Sequence, residues 1–263
     1  MKYLIVIDSD GTLRHSDGTI SSYTKKTISK LVKNGHYVVI CTARPRYYTK
    51  KIAEEVGASP FLISSNGSEI YNSNDNTIIA SSFVPTSQCV KLYKYAINQD
   101  LRIVFVTENK EYVTKFIRNE NQELLNDSNI KQCLSHDIKQ IMIIGKEVEK
   151  ILYFKDKVTK EFRMNVIDSS SELKEEIWFS VGNNNSSKGN AVIELSNYLG
   201  VPLKNTIAIG NDYNDLSMFK VSGTSVAVAN ALDEIKTKTD IITDSNDNDG
   251  VAKYLNKINE IIL

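Results

Sequence analysis

Cysteine and histidine are scarce in this 263-residue chain, with three of each. The cysteines (Cys41, Cys89, Cys133) are scattered, odd in number and without C-x-x-C spacing. That argues against a disulfide framework or a zinc knuckle and fits a reducing cytosol. His15, His36 and His136 stand far apart in sequence, which argues against a histidine-rich metal site. An excess of one charge sign is also missing. Lys+Arg and Asp+Glu both number 32, so no global field recruits nucleic acid or an anionic membrane. There is one Trp and no basic-aromatic stripe of the kind that binds nucleic acid. The N-terminal apolar run is only about six residues long and ends in aspartate, so it reads as neither signal peptide nor membrane span. No repeat or low-complexity tract appears. What remains is ordinary: 41% hydrophobic and 24% charged residues, enough for a full core and two domains in a soluble, cytoplasmic protein.

Short Val/Ile-rich runs alternate with segments of helical period. YLIVID (3–8) reads as a buried strand of a parallel sheet. A helix follows over 21–33, stopped by Gly35, then the strand HYVVICTA (36–43). Pro45 suits the start of the next helix, which Gly57 ends, and FLISSNG (61–67) is a third strand. This β-α-β-α-β order implies an open α/β sheet with right-handed crossovers. SEIYN and NTIIAS then read as a hairpin. From 86 to 182 the pattern becomes mixed, with strands at 102–107, 140–145, 162–167 and 178–181. After that the alternation resumes: helix 188–199, strand 206–210, helix 213–220, strands 225–229 and 240–243, helix 249–262. The expectation is a Rossmann-like α/β core, residues 1–85 and 183–263, split by an α+β cap over 86–182. Ser81–Ser82 and NNNSS (183–187) are polar hinge candidates.

In open α/β sheets the working site lies beyond the carboxyl ends of the strands. Four polar stretches fall there: D8-S-D10-G-T, T42-A-R44, S-S-K188-G and G210-N-D-Y-N-D215. A strand needs neither Asp8 nor Asp10, and a plain Asx turn needs only one of them. Carboxylates with oxygen-only partners make a hard-cation site, most simply Mg²⁺. A threonine hydroxyl, a lysine and helix N-termini are phosphate ligands. Together they describe phosphoryl transfer. Asp8, at the strand end, is placed to be a nucleophile and Asp10 to move the proton. Gly11 lets the chain turn close to a ligand.

IVIDSDGTL resembles motif I (DxDGT) of the haloacid dehalogenase-like (HAD) phosphohydrolases. CTAR, SSKG and IGNDYND resemble its motifs II, III and IV, and their order, with the tail SNDNDGVAKYL, resembles the Cof-like branch, whose α/β cap lies between motifs II and III. The resemblance implies Asp8 as nucleophile and Asp10 as acid/base. It implies Ser9, Thr42, Ala43, Arg44, Lys188 and Asn214 around substrate and phosphate, and Mg²⁺ held among Asp8, Asp10, Asn211, Asp212 and Asp215. One departure stands out. The family's GDxxND has Asn211 here in place of its first aspartate, so Asp212 or Asp215 is expected to carry more of the metal binding.

The function expected is a Mg²⁺-dependent phosphatase for small phosphorylated metabolites, sugar phosphates first, working as a monomer or weak homo-oligomer without nucleic-acid or membrane partners. Two alternatives stand beside it: a phosphomutase of the same superfamily, and a phosphate-binding regulator with weak turnover. Arg46 reads either as a second substrate contact or as a solvated charge, and Asn66-Gly67 as a turn near the site. Ala191, Leu195, Tyr198 and Leu199 read as the packing face of their helix.

Overall fold

The computed structural model describes residues 2–168 and 176–262, so residues 169–175 of the insert lie outside the described residues. The chain folds as two units, Met1–Ala80 with Ser187–Leu263, and Ser81–Ser186.

The first unit is built on one sheet. Its strands run in the spatial order Ile241–Ile242, Thr224–Ala227, Thr206–Gly210, Leu4–Ile7, Tyr37–Cys41, Phe61–Ser64, Glu69–Asn72, Thr77–Ser81. The first six are parallel, and the strand Glu69–Asn72 turns antiparallel to Phe61–Ser64. Leu4, Ile5, Val6 and Ile7 are fully buried. A run apolar on both faces suits only a central strand covered by helices on each side. Truncating one of these side chains to Ala costs about 2–5 kcal/mol.

The chain starts in the middle of the sheet, winds one way through Tyr37–Cys41 and Phe61–Ser64, and returns after the insert on the other side of the first strand. The order therefore reverses between Leu4–Ile7 and Thr206–Gly210, which is where such sheets open a crevice at their carboxyl ends. Asp8 and Asn211 are the first residues past those two strands.

The helices begin and end where their caps dictate. The Ser21 side chain accepts from the Thr24 N–H at 3.0 Å, and Ser187 accepts likewise from Asn190 at 3.0 Å, opening the helices Ser22–Lys33 and Lys188–Leu199. Several details depart from the sequence reading. The third strand stops at Ser64, because Ser65 and Asn66 take left-handed φ values of 49° and 56° that no strand accommodates. The helix expected at 213–220 is divided into a tight turn, Tyr213–Asp215, and a helix, Leu216–Val221. Tyr198 lies on the exposed side of its helix, reaching only the edge of the Phe61 ring.

The second unit is an inserted α/β cap. Its six-stranded sheet runs Asn165–Ile167, Ile177–Gly182, Gln140–Gly145, Arg102–Val106, Glu111–Val113, Gln122–Leu124. Alternation along the strands separates two faces. Ile103, Phe105, Ile141, Ile143 and Phe179 pack with Leu92 of the helix Thr86–Asn98 and Phe154 of the helix Val148–Lys160. Val104, Val106, Val113 and Ile144 form a smaller apolar cluster with Met142 and Trp178 on the other. The strand expected at 162–167 is shorter and begins at Asn165.

Candidate active site

The loop after the first strand is a type II turn. Asp10 has φ −80°, ψ 123° and Gly11 has φ 75°, ψ 0°, a left-handed position that glycine fills without strain. The Arg14 N–H donates to the Ser9 carbonyl at 3.0 Å and closes the loop. A Cβ on Gly11 would stand 2.7 Å from Asn211 Nδ2, so a larger residue would also have to push that side chain aside. Thr12 donates its hydroxyl to Asn211 Oδ1 at 2.9 Å and ties motif I to motif IV.

Lys188 lies at the centre of the site. Its ammonium is buried and donates to Asp8 Oδ1 at 2.6 Å and to Asp215 Oδ1 at 2.6 Å. Burial works against its charge, but Asp215 and Asp8 outweigh that and hold it firmly protonated. One cation thus faces two buried carboxylates. Burial pushes Asp8 up to about 7, against the pull of Lys188 and with the push of Asp215. Asp8 Oδ2 has no protein donor among the described residues.

Asp215 is occupied on both oxygens, since Oδ2 accepts the N–H groups of Asn211 at 2.8 Å and Asp212 at 3.0 Å. Asp212 Oδ1 accepts from the Tyr213 N–H at 2.7 Å and caps the turn that follows. Asp215 therefore orients the lysine and shapes the motif IV loop.

Thr42 is buried; its hydroxyl lies 2.9 Å from Ser9 Oγ and accepts from the Arg44 N–H at 3.2 Å. Ala43, half-buried, links it to Arg44. Asp10 sits in a basic cage. Arg44 donates to it through Nε at 3.0 Å and Nη2 at 3.4 Å, Arg14 through Nη1 at 3.3 Å, and Ser9 through its hydroxyl at 3.0 Å. Burial raises this carboxyl, yet Arg44, the Ser9 hydroxyl and Arg14 together outweigh it and hold it below its ordinary value. Asn214 donates to Asn66 Oδ1 at 2.9 Å, and its own Oδ1 is buried without a partner among the described residues.

Every site residue named from sequence therefore lies in one unit, around the ends of the same strands. Arg46 goes elsewhere. It pairs with buried Glu69 at 2.5 and 2.6 Å and covers the Tyr71 ring at 4.2 Å, a strut between a helix start and the hairpin. Sequence reasoning gave no site role to Arg14, Tyr48, Asn230 or Asn246, which support the first loop; of these only Asn246 lies in a motif, the tail SNDNDGVAKYL.

With this geometry in view, a sequence model of haloacid dehalogenase-like hydrolases matches residues 5–255. The chain belongs to that family. Among HAD-like hydrolases it falls in the Cof-like branch with an inserted cap, and it is an enzyme. It is 32% identical to a putative phosphatase, BU028/BU029, of Buchnera aphidicola (subsp. Acyrthosiphon pisum), over 98% of this chain and 97% of that one. It is also 32% identical to the 5-amino-6-(5-phospho-D-ribitylamino)uracil phosphatase YcsE of Bacillus subtilis, over 96% and 94%. A HAD-like hydrolase from Bacteroides thetaiotaomicron superposes with a TM-score of 0.87 at 26% identity, covering 98% of this chain and all 100% of the other. Among the described residues no helix is long and apolar enough to cross a membrane.

Proposed function

We propose that this HAD-like hydrolase is a Mg²⁺-dependent phosphatase that releases inorganic phosphate from a small phosphorylated metabolite through an aspartyl-phosphate on Asp8. The observation that carries the reading is the division of Asp8. Lys188 occupies Oδ1 and leaves Oδ2 as the attacking atom.

Asp8 Oδ2 bonds to phosphorus as the ester P–O bond breaks, and the leaving alkoxide takes a proton from Asp10, which can hold one once Arg44 leaves it for the phosphoryl oxygens. Asp10, again a carboxylate, then takes a proton from water whose oxygen bonds to phosphorus. The bond to Asp8 breaks and phosphate leaves. The Thr42 hydroxyl, the Lys188 ammonium, the Ser9 and Ala43 backbone, Asn214 and exposed Arg44 are the groups that bind the phosphoryl oxygens.

The donor set fits a hard cation. Among the described residues no three His, Cys, Asp or Glu side chains form a metal cluster. Yet the donors are all oxygen, and the buried pair of carboxylates exceeds Lys188 by one negative charge. Asp8, the Asp10 carbonyl and the Asn211 amide oxygen would hold the ion, with Asp212 beside them. When bound, Mg²⁺ offsets the repulsion between the Asp8 carboxylate and a phosphate dianion. Selection of the leaving group is assigned to the cap, residues 81–186.

Sugar and polyol phosphates head the substrate list, and a phosphoribitylamino-pyrimidine belongs in it because of the relative YcsE. The test is a screen of phosphorylated metabolites with Mg²⁺, reading free phosphate. Isomerised sugar phosphate without free phosphate would favour a mutase, and binding without either product a regulator.

A further inference from the structure

We propose that Arg14 is a positioning residue that fixes the Asp10 carboxylate for proton transfer, and that the tail segment 245–250 exists in part to anchor it. This rests on the reading of Asp10 as acid/base given above.

Arg14 and Arg44 both hold Asp10, but they are built differently. Arg44 is half exposed and lies over the Tyr48 ring at 4.9 Å. Arg14 is tied at several points. Its Nε and Nη2 donate to the Gly18 carbonyl at 3.0 and 2.6 Å, while Nη1 reaches both Asp10 and the Tyr48 hydroxyl. A planar guanidinium bound on two edges has little freedom left. Its backbone is held too, through its N–H to Ser9 and through its carbonyl, which accepts from buried Asn246 Nδ2 at 2.9 Å.

The tail secures the rest of this loop. Asn230 accepts from the Asn246 N–H at 2.9 Å and donates to the Gly11 carbonyl at 2.8 Å. Asp247 accepts from the Ser16 N–H and hydroxyl, both at 2.7 Å. Asp249 bonds His15 at 3.0 Å and Thr24 at 3.0 Å. Gly11 to Ser16 is thus pinned from a segment some 230 residues further along the chain.

The consequence concerns geometry. A carboxyl group turns easily about its terminal torsion, and proton transfer needs one oxygen held in line with the leaving group. Arg44, among the proposed phosphate ligands, has a second demand on it once substrate arrives. Arg14, anchored on Gly18, has none and keeps Asp10 in place. Gly18 is fitted to this: its φ is +83°, and a Cβ there would stand 3.0 Å from Arg14 Nη2. Gly18→Ala would crowd Arg14 Nη2 and strain the turn that holds it, without touching a reacting atom.

The test uses the full chain with Mg²⁺ in single turnover, following alcohol release so that only the first chemical step is read. Two esters are compared: p-nitrophenyl phosphate, whose leaving group departs without a proton, and an alkyl phosphate that the native enzyme hydrolyses. Arg14→Met should slow the alkyl ester about 10–100-fold and the aryl ester less than about 3-fold. Arg14→Lys should recover part of the loss, and Gly18→Ala should shift the alkyl rate in the same direction. Equal slowing of both esters, or no slowing of either, overturns the positioning role while leaving the phosphatase reading intact. Should Arg14→Met not fold, Gly18→Ala and Arg14→Lys decide by the same ratio. A native enzyme that cleaves no phosphate ester overturns both.

Discussion

Lys188 Nζ stands 2.6 Å from Asp8 Oδ1, and neither side chain is more than 9% exposed. This contact defines the site, because it makes one oxygen of Asp8 structural and leaves the other for chemistry. Asp215 completes the arrangement from the far side of the ammonium. Removing the lysine therefore does two things at once.

Lys188→Met should destabilise the protein by about 3–5 kcal/mol, since it strands Asp8 and Asp215 in a buried place without a cation. Urea unfolding measures this. Adding Asp215→Asn to Lys188→Met should recover part of the loss by removing one stranded charge.

Asp8→Asn should abolish phosphate release by several orders of magnitude with the fold retained, as expected for loss of a covalent nucleophile. Phosphate release and circular dichroism together check it. More than a few per cent of residual turnover would assign the nucleophile elsewhere.

Chelation should abolish turnover. Asn211→Asp should raise Mg²⁺ affinity, because it supplies a charge where the present donor is a neutral amide. Titration calorimetry decides this, and an unchanged affinity would mean that position 211 does not touch the ion.

Stability should fall as pH drops below 6.5, in part through His36. The Tyr3 N–H donates to His36 Nδ1 at 3.2 Å, which requires the neutral ring there, and burial holds the imidazole below its ordinary value of 6.5. The unfolded chain thus takes up the proton first. The contribution is complete above pH 6.5 and declines as pH falls toward the folded-state value. Unfolding free energies at pH 7.5 and 5.5 should differ less in His36→Gln than in the native protein.

Deleting residues 81–186 and bridging the ends should leave a soluble core with weak and broadened activity on small activated esters. A truncated core that kept the full substrate preference would move selection to core residues, with Arg44 first.

The elements of the core were legible in sequence because each carries a local signal. The all-apolar LIVI, VVIC and TIAIG runs demand strands buried on both faces, and Ser21, Gly57 and Ser187 mark helix ends by hydrogen bonding or backbone freedom that any observer of the chain can anticipate. The places of Asp8, Asp10, Thr42 and Lys188 were equally legible, since each follows or opens an element at the carboxyl end of the sheet. What each side chain does with its neighbours was decided only by the tertiary structure. Arg44 and Arg46 are two residues apart and alike in chemistry, yet one holds Asp10 and the other is committed to Glu69. Asp215 reads as a metal ligand in sequence but spends both oxygens on Lys188 and on backbone N–H groups of its own loop. Arg14 and Asn246 meet only because a helix at the chain's end packs on the one near its start. Local propensity reaches a few residues along the chain, whereas hydrogen-bond partners are chosen by proximity in space, and sequence distance carries no information about that.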